Sequence, residues 1–160
     1  MEIRRYKHGE ECAVWNVYFA ATRESIARDY HPDLIERWAP QDQDMSEWAD
    51  RLARKKPFVA ALDEQIVGMA EIEEDGFIDY FYVHPQWQGR GIGKALLAAV
   101  ELEAARFGVR LIYADVSITA KSFFLLRGFL VTEVKSNVIL GHPAPNFRMQ
   151  KMLKSECSRL

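Results

Sequence analysis

A long helical segment between two strand-like runs is the feature that most constrains the fold. FIDYFYV (77–83) precedes the glycine-rich turn HPQWQGRGIGK (84–94), and VRLIYADV (109–116) follows a helix expected to end at Gly108. Apolar residues of this helix recur on one helical face: Leu96, Leu97, Val100, Ala104 and Phe107. Because a crossover helix joins parallel strands, we predict a parallel pair. The almost continuously apolar run VRLIYADV predicts a strand covered on both faces.

The residues before this unit predict antiparallel strands. From Pro57 the sequence PFVAALDEQIVGMAEIEEDGFIDYFYVHP gives three strand-like runs, separated by Asp63–Glu64 and by Asp75–Gly76. An Asp-Gly pair is a strong hairpin signal because both residues tolerate a positive backbone φ. We therefore expect three consecutive antiparallel strands, the last of which enters the crossover.

The remaining segments complete a single α/β domain. The first third reads as a short strand and then helices, because its apolar residues follow helical spacing. After the crossover, SITAKSFFLLRGF predicts a short helix that ends at Gly128, and LVTEVKSNVIL and NFRMQKML predict two strands. We find no repeat or linker, so we predict one domain over residues 1–160.

Composition excludes several classes of protein. The 160 residues are 49% hydrophobic and 28% charged, and the formal net charge is -2, which favours neither a nucleic-acid nor a membrane partner. No apolar stretch approaches the roughly 20 residues that span a bilayer, and the N-terminus lacks a signal-peptide core, so we expect a cytoplasmic location. Two cysteines, Cys12 and Cys157, without a C-x-x-C pattern give no reason to expect a metal.

The glycine-rich turn predicts an anion site. The first amides of a helix have no intrahelical partner, and glycines let an anion approach them closely. A Walker A loop is excluded because Gln88 and Ala95 stand where it needs Gly and Ser or Thr. A Rossmann fingerprint is excluded because Lys94 or Leu96 stands where its last Gly belongs.

Two motifs instead resemble those of the GNAT superfamily of acyl-CoA-dependent N-acetyltransferases. Gln88, Gly91 and Gly93 form Q-x-x-G-x-G within YVHPQWQGRGIGKALL, and SITAKSFFLLRGF (117–129) is similar to the second core motif. The order of elements is similar from Ile3 through Met152. The resemblance implies a mixed, mostly antiparallel sheet flanked by helices, and direct transfer of acetyl from acetyl-CoA to a primary amine.

The resemblance also implies which residues contact the cosubstrate. Backbone groups of Phe81, Tyr82 and Val83 would pair with the pantetheine arm of coenzyme A. Ser117 and Phe124, in the second motif, would lie near the same arm. The pyrophosphate would be bound by the glycine-rich turn: Gln88, Gly89, Arg90, Gly91, Ile92, Gly93 and Lys94.

Two departures from the family pattern leave the proton donor open. Phe124 replaces a Tyr that often protonates the leaving thiolate, and Ser117 replaces the usual Asn. Ser117, Tyr82, Tyr80 or water are the candidate acids. A thiol has a pKa near 8.5, so its anion is a tolerable leaving group without an acid.

The sequence also leaves several candidates for the base that removes the amine proton. The candidates are carboxylates of the central hairpin: Glu71, Glu73, Glu74 and Asp79. Strand alternation places Asp79 with Phe81 and Val83 on one face, and Tyr80 and Tyr82 on the other. By this interpretation Asp79 is the most interior acid and Glu73 the next candidate.

Three alternatives concern function and partners. A non-catalytic acyl-CoA-binding or sensor module would keep the glycine-rich turn but not catalyse transfer. Phe124, which has no proton to donate, is compatible with that hypothesis. A covalent route would need a nucleophile, for which Cys12 and Cys157 are poorly placed. The acceptor is a small-molecule or peptide amine, and a homodimer stays open.

Overall fold

A seven-stranded sheet organises the protein. The computed structural model describes residues 1–155, so the hypothesis about Cys157 lies outside it. The strands of the described chain are β1 Glu2–Arg5, β2 Phe58–Leu62, β3 Gln65–Ile72, β4 Phe77–Val83, β5 Leu111–Ser117, β6 Leu130–Lys135, β7 Val138–Ile139, β8 His142–Pro143 and β9 Asn146–Met152. The large sheet has the order β1-β2-β3-β4-β5-β9-β6, and β7 and β8 form a separate hairpin.

Helices cover both faces of the sheet. They are α1 Glu11–Ala20, α2 Pro32–Trp38, α3 Met45–Lys55, α4 Ile92–Arg106 and α5 Lys121–Leu126. A π-helical turn and then a 3₁₀ turn continue α1 through Ala21–Ser25 and Ile26–Arg28. Within residues 1–155 no helix combines the length and apolarity that crossing a bilayer requires.

Local capping explains where two of these helices begin. The Asp44 carboxylate accepts hydrogen bonds from the amides of Ser46 and Glu47 and so begins α3. The His31 imidazole accepts from the Asp33 amide, and Pro32 fixes the first turn of α2. The predicted helices of the first third are therefore confirmed.

The sheet divides between β4 and β5. These strands are parallel, as the crossover predicted, but they pair only at Phe77 with Tyr113 and at Ile78 with Ala114. β5 pairs along its whole length with β9, from Leu111 to Ser117. Beyond Ile78 the described chain has no ladder pair between β4 and β5, so a V-shaped gap opens towards the glycine-rich turn.

A bulge in β4 overturns the predicted alternation of side chains. Ala70 pairs with Phe81 and Ile72 pairs with Ile78. The two pairs are therefore three residues apart along β4 but two residues apart along β3, so β4 carries one extra residue. Ile78 and Phe81 consequently share the face packed by α4 and α5. Asp79 turns instead towards α3, where it contacts Arg51, so the prediction that it shares a face with Phe81 is wrong.

Two other expectations need correction. β5 is covered on one face only: Ile112, Ala114 and Val116 are buried, whereas Asp115 is exposed and Ser117 is half-buried. The alternation was hidden because Leu111 and Tyr113 are themselves apolar enough to extend the run. The segment LVTEVKSNVIL is not one strand, since β6 ends at Lys135 and Val138–Ile139 belongs to the β7–β8 hairpin.

Gly76, in the turn before β4, lies where β4 and β5 still pair, at the closed end of the gap. Its φ is +95°, and a Cβ there would lie 2.3 Å from the Leu111 carbonyl oxygen. Its own carbonyl accepts from the Tyr113 amide at 3.0 Å. The absence of a side chain thus lets the β3–β4 turn meet β5 where the parallel pairing begins.

We expect Gly76→Ala to destabilise the protein more than Gly9→Ala. Both glycines have positive φ, which adds roughly 1–2 kcal/mol for an L-residue, but a Cβ at Gly9 meets nothing within 4 Å. The clash at Gly76 should add about 1–3 kcal/mol. Urea unfolding of both variants measures the difference. Equal losses would show that the Leu111 contact does not constrain the turn.

Candidate active site

A first cavity of about 370 Å³ fills the gap between β4 and β5 and reaches the N-terminus of α4. Every predicted cosubstrate-binding residue except Arg90 lines it. Arg90 is exposed, and its guanidinium lies 4.7 Å from the centre of the Trp87 ring. The residues that the resemblance implied thus lie together at this cavity, and their contact with a cosubstrate stays a prediction.

The glycine-rich turn presents backbone rather than side chain to this cavity. Gly89 and Gly91 have φ of +75° and +82°, and the space around both is open. Gly93 is needed for packing, because a Cβ there would lie 2.9 Å from the Phe123 ring. The unpaired amides of the first turn of α4 and its positive dipole end favour an anion here.

Gln88 braces the turn. Its side-chain amide nitrogen donates to the Val83 carbonyl at 3.0 Å and to the Ser25 hydroxyl at 3.2 Å. These bonds attach the turn to the end of β4 and to the π-helical turn after α1. Gln88 therefore positions the amides, which is a role that the motif alone does not reveal.

A second cavity of about 290 Å³ lies beside the first, between the helices of the first third and the β7–β8 hairpin. The two cavities share four lining residues: Ile26, Tyr82, Asp115 and Ser117. The exposed face of β5 supplies two of these. A group held in the gap between the strands would therefore meet a molecule in the second cavity at Tyr82 and Ser117.

Tyr82 and Ser117 are both able to donate a proton at this junction. Burial raises the pKa of the Tyr82 hydroxyl well above its ordinary value, so this group stays protonated at neutral pH. The Tyr82 ring packs edge-on against Tyr18, with the centroids 4.9 Å apart. The Ser117 hydroxyl accepts a hydrogen bond from the Ala120 amide at 3.1 Å, which leaves its hydrogen free to donate.

Phe124 is a core residue. It is buried, and its ring packs edge-on against Phe81, Phe123 and Phe129 at centroid distances of 5.5, 5.3 and 5.0 Å. It also lines the first cavity. Phe124 therefore serves packing and has no proton to give, so a proton donor in this site would have to be another group.

Two of the four candidate carboxylates contact Arg51 of α3. Its guanidinium donates to Glu71 at 2.6 Å and to Asp79 at 2.9 Å, and lies 4.1 Å from the centre of the Tyr80 ring. Glu71 has a side chain 2% exposed, whereas that of Asp79 is 33% exposed. The prediction that Asp79 is the most interior acid is thus wrong, and Glu71 holds that position.

These acids differ in their access to the cavities. Asp79 lines the first cavity, whereas Glu71, Glu73 and Glu74 line neither. Glu73 is paired with Lys55 of α3. Burial raises the pKa of Glu71 to about 7; the nearby Asp79 adds to the rise, and Arg51 opposes it. Glu73 as a base stays a prediction that this placement does not favour.

Thr22 is one of several lining residues that sequence reasoning missed. It lies in the π-helical turn, its residue is 1% exposed, and its hydroxyl has no hydrogen-bond partner in the described chain. It lines the second cavity. Hydrophobic spacing does not distinguish a π-helical from an α-helical turn, so the direction of Thr22 could not be read from the pattern. The one usable signal was a polar residue within an apolar helix.

Comparison with known proteins assigns the family. A family model described as an acetyltransferase (GNAT) domain matches residues 26–151. This chain belongs to the GNAT family of acetyltransferases. It is 30% identical over 151 residues to the uncharacterized N-acetyltransferase YafP of Escherichia coli (strain K12), an alignment that covers 94% of this chain and 95% of YafP.

Solved structures agree with this GNAT assignment. A GCN5-related N-acetyltransferase from Rhodopseudomonas palustris is 30% identical and superposes with a TM-score of 0.87 over 95% of each chain. PaiA N-acetyltransferase from Thermoplasma acidophilum, solved in complex with coenzyme A, is 20% identical with a TM-score of 0.76, and the match covers 94% of this chain and 98% of PaiA. The predicted fold is confirmed, and this GNAT protein is an acyltransferase, which disfavours the sensor hypothesis.

The buried Glu71 gives a testable pH dependence of stability. Its native pKa of about 7 lies above the ordinary value of 4.5, so the folded protein keeps a proton that the unfolded chain releases. The free energy of unfolding should therefore fall as pH rises from about 4.5 to about 7, and this contribution is constant above. The fall amounts to roughly 3 kcal/mol at most, since one pKa unit is about 1.36 kcal/mol.

Glu71→Gln should remove this fall while keeping the shape of the side chain. Urea unfolding of wild type and variant between about pH 5 and pH 8 isolates the contribution as the difference between the two profiles. Profiles that run parallel across this range would contradict the raised pKa of Glu71.

Proposed function

We propose that this protein transfers the acetyl group of acetyl-CoA directly to a primary amine. The observation that carries the proposal is the junction of the two cavities at Tyr82 and Ser117. One cavity ends at a glycine-rich anion site, as a nucleotide-linked thioester requires, and the other opens beside it. Direct attack needs only that an amine in the second cavity reach a thioester in the first.

In this proposal the first cavity takes acetyl-CoA. The amides of residues 88–94 bind the pyrophosphate, and backbone groups of β4 from Phe81 to Val83 pair with the pantetheine arm, as a peptide adds to a sheet edge. The residues fit this ligand because β4 leaves these groups without a β5 partner in the described chain. The solved complex of PaiA with coenzyme A supports the choice of ligand.

The proton transfers are assigned to Asp79 in the first cavity and to Tyr82 at the junction. Asp79, the candidate carboxylate with access to the first cavity, accepts the amine proton through water. A neutral amine then attacks the thioester carbon, the carbon–sulfur bond breaks, and Tyr82 donates its proton to the thiolate. The second proton of the attacking nitrogen passes through water to Tyr82, which leaves a neutral amide and a protonated Tyr82. Asp115 also lines both cavities, but Arg148 and Lys135 lower its pKa and make it a poor base.

Other properties stay predictions. They are a single domain spanning residues 1–160, a cytoplasmic location and a homodimer. Mass measurement in solution tests the last of these, while the proposed chemistry needs one chain only, because both cavities are lined by residues of the same chain.

The proposal is tested by binding and by turnover. Acetyl-CoA at about 100 times its Kd should add roughly 2.7 kcal/mol to the free energy of unfolding, a rise in Tm of about 2–8 °C, whereas ATP should not. Thiol release should then require an amine. Binding without amine-dependent release from a broad amine panel would favour the sensor hypothesis, and no rise in Tm would reject both.

Gly91→Asp should weaken acetyl-CoA binding at least tenfold more than Gly91→Asn. Both residues tolerate the positive φ of this position, and they differ mainly in charge. A carboxylate about 4 Å from a phosphate charge adds about 1–4 kcal/mol of repulsion, and about 1.4 kcal/mol is tenfold in Kd. Isothermal titration measures both constants. Equal affinities would reject the placement of the pyrophosphate.

Tyr82→Phe should lower kcat by roughly 100-fold or more without changing the Kd of acetyl-CoA, because a positioned acid contributes about 10²–10⁴-fold. Tyr80→Phe is the matched control, since Tyr80 neighbours Tyr82 but lines neither cavity. The pH profile of kcat should lose its alkaline limb in Tyr82→Phe only. An unchanged kcat would assign the proton to Ser117 or water.

A further inference from the structure

Four aromatic side chains line the second cavity. They are Tyr18, Tyr30, Trp38 and Tyr82, and they stand beside apolar residues and the polar side chains of Asn137 and Asn146. Two of the phenol hydroxyls are already used: Tyr18 donates to the Trp38 carbonyl at 2.6 Å, and Tyr30 donates to the Pro145 carbonyl at 2.6 Å. These bonds orient the two rings, so that Tyr18 and Tyr30 offer mainly ring surface to a ligand.

The described residues place no unpaired negative charge at this cavity. Among the described residues that line it, Asp115 alone carries a charge. Arg148 donates to both carboxylate oxygens of Asp115, at 2.7 and 3.1 Å, and Lys135 lies 3.0 Å away. A second ammonium group on the acceptor would lose its water without gaining a partner, which is unfavourable. The cavity therefore disfavours polyamines and other multiply charged acceptors.

The Thr22 hydroxyl of this cavity lacks a partner at hydrogen-bond geometry. It is buried, and the Tyr18 hydroxyl that approaches it already donates to the Trp38 carbonyl. Such a group is unfavourable unless a ligand or water satisfies it. Thr22 lines the second cavity, and Ser25 of the same π-helical turn lines the first.

The volume limits the size of the acceptor. At about 290 Å³ the cavity lies just below the roughly 300–1,000 Å³ typical of pockets for drug-sized ligands. An amine with a single ring or a short alkyl body is the size that fits. An oligosaccharide or a folded peptide segment would have to remain largely outside.

We propose that the acceptor is a small monoamine with an apolar, preferably aromatic, body, and that Thr22 hydrogen-bonds its amine nitrogen. This inference rests on the proposed function, because it names the acceptor of the same reaction. The aromatic walls bind the body and hold a cationic amine loosely through their π faces. Removal from water favours the neutral amine that attacks.

Matched amines test the charge argument. Hexylamine and 1,6-diaminohexane have the same chain and differ in the second ammonium, so kcat/KM from thiol release with full-length protein and acetyl-CoA should be at least tenfold higher for hexylamine. Phenethylamine should exceed hexylamine about threefold or more. A diamine as good as the monoamine, or no gain from the ring, would overturn the proposed class.

Thr22 variants test the hydrogen bond. Thr22→Val keeps the shape and removes the hydroxyl, and should raise KM for phenethylamine about five- to tenfold, whereas Thr22→Ser should stay near wild type. The Kd of acetyl-CoA should not change in either. An unchanged KM in Thr22→Val would overturn the contact.

The outcomes also separate this inference from the proposed function. If acetyl-CoA raises Tm but no monoamine releases thiol, while a diamine or a peptide amine does, the acceptor class is overturned and acetyl transfer stands. If acetyl-CoA does not bind, both are overturned.

Discussion

The parting of β4 from β5 is the constraint on which the rest of the protein depends. A sheet interior normally pairs every backbone group, and a buried unpaired one costs about 1–3 kcal/mol. Here β5 commits its other edge to β9 over seven residues, and β4 commits its other edge to β3. Each strand is thus held by its outer neighbour while the two diverge from each other. The gap between them therefore does not close into a continuous ladder.

The divergence also determines where the chemistry lies. α4 begins at the open end of the gap, so its free amides face the same space as the unpaired edge of β4. The uncovered face of β5, with Asp115 and Ser117, faces the residues of the first third across the second cavity. One irregularity therefore supplies the anion site, the slot for an extended ligand and the opening through which a second molecule reaches it.

Local patterns predicted the elements well because each rests on near neighbours in sequence. The hairpin at Asp75–Gly76, the helix from the glycine-rich turn to Gly108 and the crossover to β5 all follow from turn chemistry and hydrophobic spacing. The direction of the Asp79 side chain did not follow from such local patterns, because the bulge in β4 exists only in its pairing with β3. A single extra residue moved that carboxylate to the other face and left Glu71 as the buried acid.

The candidate site was half predictable for the same reason. The turn residues are contiguous and carry a recognisable motif, so nearly all of them were named in advance. The second cavity is assembled from α1, α2, β5 and the strands after α5, and the neutralisation of Asp115 needs Lys135 of β6 and Arg148 of β9. No spacing in the sequence encodes such contacts between distant strands, and the π-helical turn that directs Thr22 depends on how α1 packs.

The hydrogen bond from Gln88 to Ser25 has a thermodynamic consequence. It joins the turn beside α4 to the π-helical turn that carries Thr22, so the two turns do not move independently of each other. Linkage between binding events is reciprocal. Whatever effect an anion on one turn has on the affinity of the second cavity, a molecule in that cavity has the same effect on the affinity for the anion.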